Sequence, residues 1–294
     1  FQEGGFITTI GMYFGDRLFM LNYMIMFHIL IIIIIMHIVF NNLGAASAIT
    51  GKNKQALDFW KQGLEKNPRV PETHVNMGVV YEKLGQNKKA IAAYQKALQW
   101  EASNAMAHYN LGVIHAKEQD FLKAIGEWKL AHKFDKKDPN FLNSLAWAYE
   151  KIDKKEEALA KLSMSIKLSP YDSRTHYSSG RLKYDTGNID DSIDSFKKAV
   201  QLDPNFGEAY YRLGLAYDAL NQSYDAISHL MIGEIVFHKA KKMDLFKKTR
   251  DRLAPLFAKY QTQRKDFKDL QLPETLKGYD LHKRANQIRT SKQK

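Results

Sequence analysis

The sequence predicts an all-α chain: a solenoid of about six helix–turn–helix units with a C-terminal capping helix, preceded by a hydrophobic N-terminal segment. Three observations predict it. The pattern ThrHisValAsnMetGlyValValTyr at 73–81 returns one period later as AlaHisTyrAsnLeuGlyValIleHis at 107–115, a spacing of 34 residues. Six such periods follow one another without insertion or deletion, at 37–70, 71–104, 105–138, 139–172, 173–206 and 207–240. Ahead of them lies a long apolar run that carries no charge at all.

Residues 1–36 read as a signal or anchor segment. From Leu18 to Phe40 the chain holds 23 residues without a charge, and the uncharged stretch extends to Gly51. About 20 apolar residues suffice to cross a bilayer. The same run resembles the apolar core of a secretory signal, with Ala46-Ser47-Ala48 as a small-x-small cleavage site. That signal-like spacing favours a cleaved, exported protein. Cleavage after Ala48 conflicts with the first unit, because Phe40, Leu43 and Gly44 fit its first helix. An uncleaved anchor through 18–40 keeps that helix, and Lys52, Lys54 and Lys61 on its C-terminal flank then hold the solenoid on the cytoplasmic side. Five consecutive isoleucines at 31–35 leave no polar stripe, which argues against a soluble core helix. Met12, Met20 and Met24 are the candidate start residues.

Within the six units, residue size is fixed by position. Position 8 is Gly44, Gly78, Gly112, Ala146, Gly180 and Gly214. Position 20 is Ala56, Ala90, Ala124, Ala158, Ser192 and Ala226, and position 27 is likewise Gly, Ala or Ser. Two helices nest closely only where small side chains meet at the crossing. Position 24 is large: Trp60, Tyr94, Trp128, Leu162, Phe196 and Leu230. Gly51, Gly85, Gly187 and Asn221 tolerate the left-handed backbone that ends a helix, and Pro68, Pro170 and Pro204 punctuate the ends of second helices. This pattern resembles the tetratricopeptide (TPR) repeat family over 204 of the 294 residues, from 37 to 240.

The resemblance implies a right-handed solenoid whose first helices line a concave groove through positions 2, 5, 6, 9 and 12. Position 6 holds Asn42, Asn76 and Asn110, similar to the asparagine ladder of long TPR superhelices. Amides carry both a donor and an acceptor and suit a peptide backbone whatever its side chains. Val75, Val79 and Val113 make the early groove apolar. Further on it carries Tyr109, Asn143, Trp147, Arg174, Tyr177, Arg181, Tyr184, Tyr211 and Arg212, and Tyr, Trp and Arg dominate interface hot spots. The partner-binding candidates are therefore Asn76, Tyr109, Asn110, Asn143, Trp147, Arg174, Tyr177, Arg181, Tyr211 and Arg212. The carboxylate clamp of chaperone adaptors needs a lysine at position 5, and none of the six repeats has one.

The apolar stripe of Met243, Leu245, Phe246, Leu253, Leu256 and Phe257 predicts a capping helix over 241–260. Pro255 is expected to kink or restart it. Residues 261–294 read as a basic, disordered or partner-dependent tail. Of the net charge of +12, +11 falls in Lys239–Lys294, which holds 17 Lys+Arg against 6 Asp+Glu. Lys241, Lys242, Lys247, Lys248, Arg250 and Arg252 are thus candidates to contact an acidic protein or anionic lipid. Sparse aromatics in the tail argue against nucleic acid.

Enzymatic chemistry finds no footing. Cysteine is absent, which removes disulfides, thiolate zinc sites and cysteine nucleophiles. His74, His108 and His176 all occupy position 4 of their repeats and lack the spacing of a helical metal site. Asp185–Asp194 lacks the order of a calcium loop. No cofactor is expected. The chain reads as a non-catalytic scaffold that assembles a multi-protein complex by gripping an extended peptide or subunit. The alternatives are a self-associating structural protein or an assembly subunit of a larger enzyme complex.

Overall fold

The computed structural model describes the backbone of residues 3–277 and the side chains of residues 22–277. It is helical, with no strand among the described residues. The chain divides into two compact units, Phe1–Asp135 and Lys136–Lys294. The first holds α1 (Glu3–Ile49), α2 (Asn53–Lys66), α3 (Pro71–Lys83), α4 (Asn87–Trp100), α5 (Ala105–Lys117) and α6 (Phe121–Phe134). In the second are α7 (Pro139–Lys151), α8 (Lys155–Leu168), α9 (Ser173–Asp185), α10 (Ile189–Leu202), α11 (Gly207–Ala219), α12 (Ser223–Lys239) and α13 (Met243–Lys259). Two short 3₁₀ turns, Arg264–Phe267 and Glu274–Leu276, follow α13. Within each unit the helices pair in chain order as hairpins, and the hairpins stack.

The size rule closes each hairpin. A Cβ on Gly44 would lie 2.3 Å from the Trp60 indole nitrogen, and one on Gly112 would lie 2.5 Å from that of Trp128. A ring at position 24 therefore fills the space a side chain at position 8 would need. Each of these indoles also donates its N–H to a carbonyl of the partner helix: Trp60 to Asn41 at 3.1 Å, Trp128 to Tyr109 at 3.0 Å. In the α7/α8 hairpin the pair is Ala146 and Leu162, a methyl group facing an aliphatic side chain.

The turn inside each hairpin passes through a left-handed residue. Gly51, Gly85 and Gly187 supply it at φ of 77°, 70° and 84°, and Asn221 at 55°. Gln119 at 62° and Asp153 at 57° complete the set, two residues that sequence reading did not single out. Junctions between hairpins carry their own fastenings. Asn41 accepts from the Thr73 hydroxyl at 3.1 Å, and the Asn143 Nδ2 donates at 3.0 Å to the Thr175 hydroxyl, which itself donates to Asp172 at 2.6 Å. The Nε2 atoms of His74, His108 and His176 each donate to a carbonyl six residues back, that of Pro68, Ala102 and Pro170. The position-4 histidines fasten turns, and no cluster able to hold a metal occurs among the described residues.

At the end of the second unit, α12 is buried along almost its whole length from Ala226 to Phe237. Two expectations are corrected here. First, α13 runs unbroken through Pro255 and does not restart; Asp251 and Pro255 both lie on its exposed side, where a missing helical hydrogen bond costs less than in a core. Second, residues 261–277 are not a loose tail. They fold back over α12 and α13, burying Phe267 among Ile227, Leu253 and Leu256, and Leu276 against Tyr210, Ile232 and Ile235. Residues 278–294 of the expected tail lie outside the described residues.

Candidate functional site

Seven of the ten groove candidates belong to the second unit, and the fold sorts them into two clefts. The first, about 170 Å³, is lined by Asn143, Ala146, Trp147 and Glu150 of α7, Leu162 of α8, and Arg174, Thr175, Ser178 and Arg181 of α9. Its floor is Ala146 and Leu162. Where four of the other five hairpins place a ring, Leu162 has an aliphatic side chain and lines the cleft beside Ala146. One rim carries Trp147, 42% exposed, with the Lys151 ammonium 5.6 Å from its ring centre. The opposite rim carries Arg174, exposed at the start of α9.

Arg181 is not a free hot-spot cation. Glu150 grips its guanidinium in a two-pronged pair at 2.6 and 2.7 Å. The hydrogen bond between them holds the Glu150 carboxyl below the usual range, against the opposing effect of burial, and raises the Arg181 value. Asn143 is spent on Thr175. The cleft thus combines an apolar floor, one exposed indole, one unpaired arginine and a rim of preorganised polar groups. Such a site suits an aliphatic side chain flanked by backbone or carboxylate.

The second cleft, about 130 Å³, joins Tyr177 to Glu208, Tyr211, Arg212, Phe237, Leu245, Lys248 and Thr249. Tyr177 packs its ring 4.9 Å from that of Phe206, and the Lys248 ammonium sits 5.5 Å over Tyr211. In the first unit, Asn76 and Asn110 are half-buried and Asn42 is exposed, while Tyr109 leans on Trp128 at 6.3 Å between ring centres. The Asn110 Nδ2 is a buried donor without a hydrogen-bond partner.

Of the six basic candidates near the C-terminus, three neutralise acids of the same unit. Arg250 reaches Glu234 at 2.8 Å, Arg252 reaches Asp218 at 2.9 Å, and Lys242 reaches Glu208 at 2.9 Å. Glu234 is fully buried and takes a second pair from Arg264 at 2.7 Å. Lys248 lies over the Tyr211 ring, while Lys241 and Lys247 are exposed.

Sequence reading missed Glu150, although it stands at position 12, a groove position in the resemblance. It also missed Thr175. The available signal was that threonine occupies position 3 only in the two repeats that follow an asparagine at position 5.

The TPR-repeat family pattern matches residues 83–119 and 180–221. The chain carries tetratricopeptide repeats. Its all-α TPR class agrees with solved TPR structures. One, from work on Pseudomonas aeruginosa PilF, superposes with a TM-score of 0.62 at 16% identity over 74% of this chain and 97% of that one. Another, YrrB, described as a TPR protein with an unusual peptide-binding site, gives 0.53 at 20% identity over 62% and 97%. A UDP-N-acetylglucosamine–peptide N-acetylglucosaminyltransferase of Giardia intestinalis is 35% identical over 75 residues. That match spans 21% of this chain and 5% of the transferase. The TPR repeats support a protein-interaction scaffold.

Proposed function

We propose that the chain is a membrane-held, non-catalytic TPR scaffold that grips an extended segment of a partner protein at the α7–α9 cleft. The observation that carries the reading is the cleft itself, where the missing ring at Leu162 meets exposed Trp147 and Arg174. The peptide-binding site named for YrrB supports the choice of ligand class. Membrane attachment rests on α1, which is long and apolar enough from Asn22 to Ile49 to cross a bilayer. Cleavage after Ala48 would remove Gly44, Asn41 and the buried Ser47, and strip the cover from Trp60. That cost favours the uncleaved anchor over the exported form.

The test is a double substitution, Ala146→Gly/Leu162→Trp, which copies the Gly–Trp pairs of the α1/α2 and α5/α6 hairpins and fills the cleft. Partners are captured from the native cell with the unaltered chain, and the bound segment is then titrated as a purified peptide. We expect at least about a tenfold loss of affinity, or ~1.4 kcal/mol, in the filled variant with no loss of folding stability. Unchanged affinity would place the partner elsewhere on the molecule.

A further inference from the structure

We infer that the bilayer-facing edge of the first unit is its row of inter-hairpin turns, and that this edge rests on the lipid headgroups around Lys66, Arg69 and Trp100. The inference deepens the membrane-held reading and rests on it.

Helix direction fixes the edge. The membrane segment and the first helix of the first hairpin are one helix, α1, which holds no proline between the isoleucine run and Ile49 and runs unbroken through Gly44. Side chains from Tyr23 to Met36 are exposed apart from the half-buried Ile33, and burial begins at His37. So α1 leaves the apolar layer and enters the hairpin within a turn. Because α2 packs antiparallel to α1, it heads back toward the membrane. The register shows this: Trp60 bonds to the Asn41 carbonyl, Gly63 sits against Phe40, and the His37 Nδ1 lies 3.3 Å from the Gly63 carbonyl. Lys66 follows three residues later, about 4.5 Å further along the axis at 1.5 Å per residue. No spacer lifts this turn off the bilayer.

The neighbouring hairpin ends at the same edge. Arg69, just past α2, holds its guanidinium 5.1 Å from the ring of Trp100, the last residue of α4, and the Lys96 ammonium lies 5.4 Å from the same ring. Trp100 is 39% exposed there. An exposed tryptophan with flanking basic side chains on apolar stems suits the zone between hydrocarbon and water. The opposite edge, with Gly51, Gly85 and Gln119, faces away from the membrane.

The cysteine-free chain makes the test direct. Full-length Lys66→Cys, Arg69→Cys, Lys54→Cys, Lys88→Cys and Met26→Cys variants are labelled with a fluorophore and reconstituted in phosphatidylcholine–phosphatidylglycerol vesicles. Nitroxide lipids labelled at the headgroup or mid-chain then report depth. Lys54 lies about 18 Å from Lys66 along α2, beyond contact with the headgroup layer. We expect headgroup quenching about threefold stronger at positions 66 and 69 than at 54 and 88, with position 26 quenched by the mid-chain probe. Strong quenching at 26 with equal, weak quenching at the other four overturns the edge and keeps the anchor. Loss of quenching at 26 overturns both. Stronger quenching at 54 and 88 than at 66 and 69 reverses the orientation and also sinks the proposal.

Discussion

At the scale of residues, the fold depends on where a side chain is missing. Gly112 leaves room for the Trp128 indole, and the Cβ of an alanine there would press into that ring at 2.5 Å. Gly112→Ala is expected to cost ~1–3 kcal/mol, the usual penalty for overpacking, read by urea unfolding. Trp128→Phe should cost about 1 kcal/mol through the lost bond to the Tyr109 carbonyl. A second residue-scale prediction concerns acid. Burial pushes the Asp218 carboxyl up, but hydrogen bonds from Lys259 and Tyr260 and the charges of Lys259 and Arg252 outweigh it and hold the group below its ordinary value. Glu150 is depressed by Arg181. Both groups bind fewer protons folded than unfolded, so their stabilisation is complete above the ordinary carboxylate range and is lost as pH falls through the lowered values. Thermal melts of Asp218→Asn should accordingly be flatter than wild type between pH 5 and about pH 3. The small–large alternation that drives these effects was legible in the sequence because it repeats in phase. The Glu150–Arg181 pair was not, since Arg181 alone looks like an unpaired interface arginine until α7 and α9 are placed side by side.

At the scale of elements, six turns place a residue in the same left-handed conformation with unequal ease. Glycine adopts it without strain, whereas Gln119 has a Cβ that opposes it. Gln119→Gly should therefore stabilise the first unit by up to ~1 kcal/mol, and Gly85→Ala should destabilise it by about as much, both measured as denaturant midpoints. The glycine turns could be read directly. Gln119 and Asp153 could not be, because the demand at their position comes from hairpin geometry and their own propensity does not announce it. The C-terminal strap shows the reverse case: its basic, Pro- and Gly-marked composition looked disordered, yet Phe267 and Leu276 pin it to α12 and α13. Phe267→Ala should cost ~3 kcal/mol in the stability of the second unit, with amide exchange in α13 rising alongside.

At the scale of the whole molecule, the uneven charge of the sequence has a different meaning once folded. The C-terminal cations neutralise Glu208, Asp218 and Glu234, acids contributed by α11 and α12. Charge counting sees the surplus but not the pairing, because the partners stand 16 to 34 residues apart. A chain beginning at Ile49 should expose Trp60 and lose exchange protection throughout 53–66 while retaining it in α5 and α6; equal protection in both would show that α1 contributes nothing to the first hairpin. One junction says more about the chain than its strength suggests. The Asn41–Thr73 bond, with the His74–Pro68 bond beside it, recurs three repeats later as Asn143–Thr175 with His176–Pro170. The Asn–Thr bond thus recurs at a three-repeat spacing laid over the 34-residue one, whereas the histidine bond also occurs in between, at His108–Ala102. The hairpins beside these two junctions differ at position 24, where Trp60 corresponds to Leu162. The cleft lies where the smaller side chain stands, and the Trp60 indole packed on Gly44 shows what a larger one does with the same space.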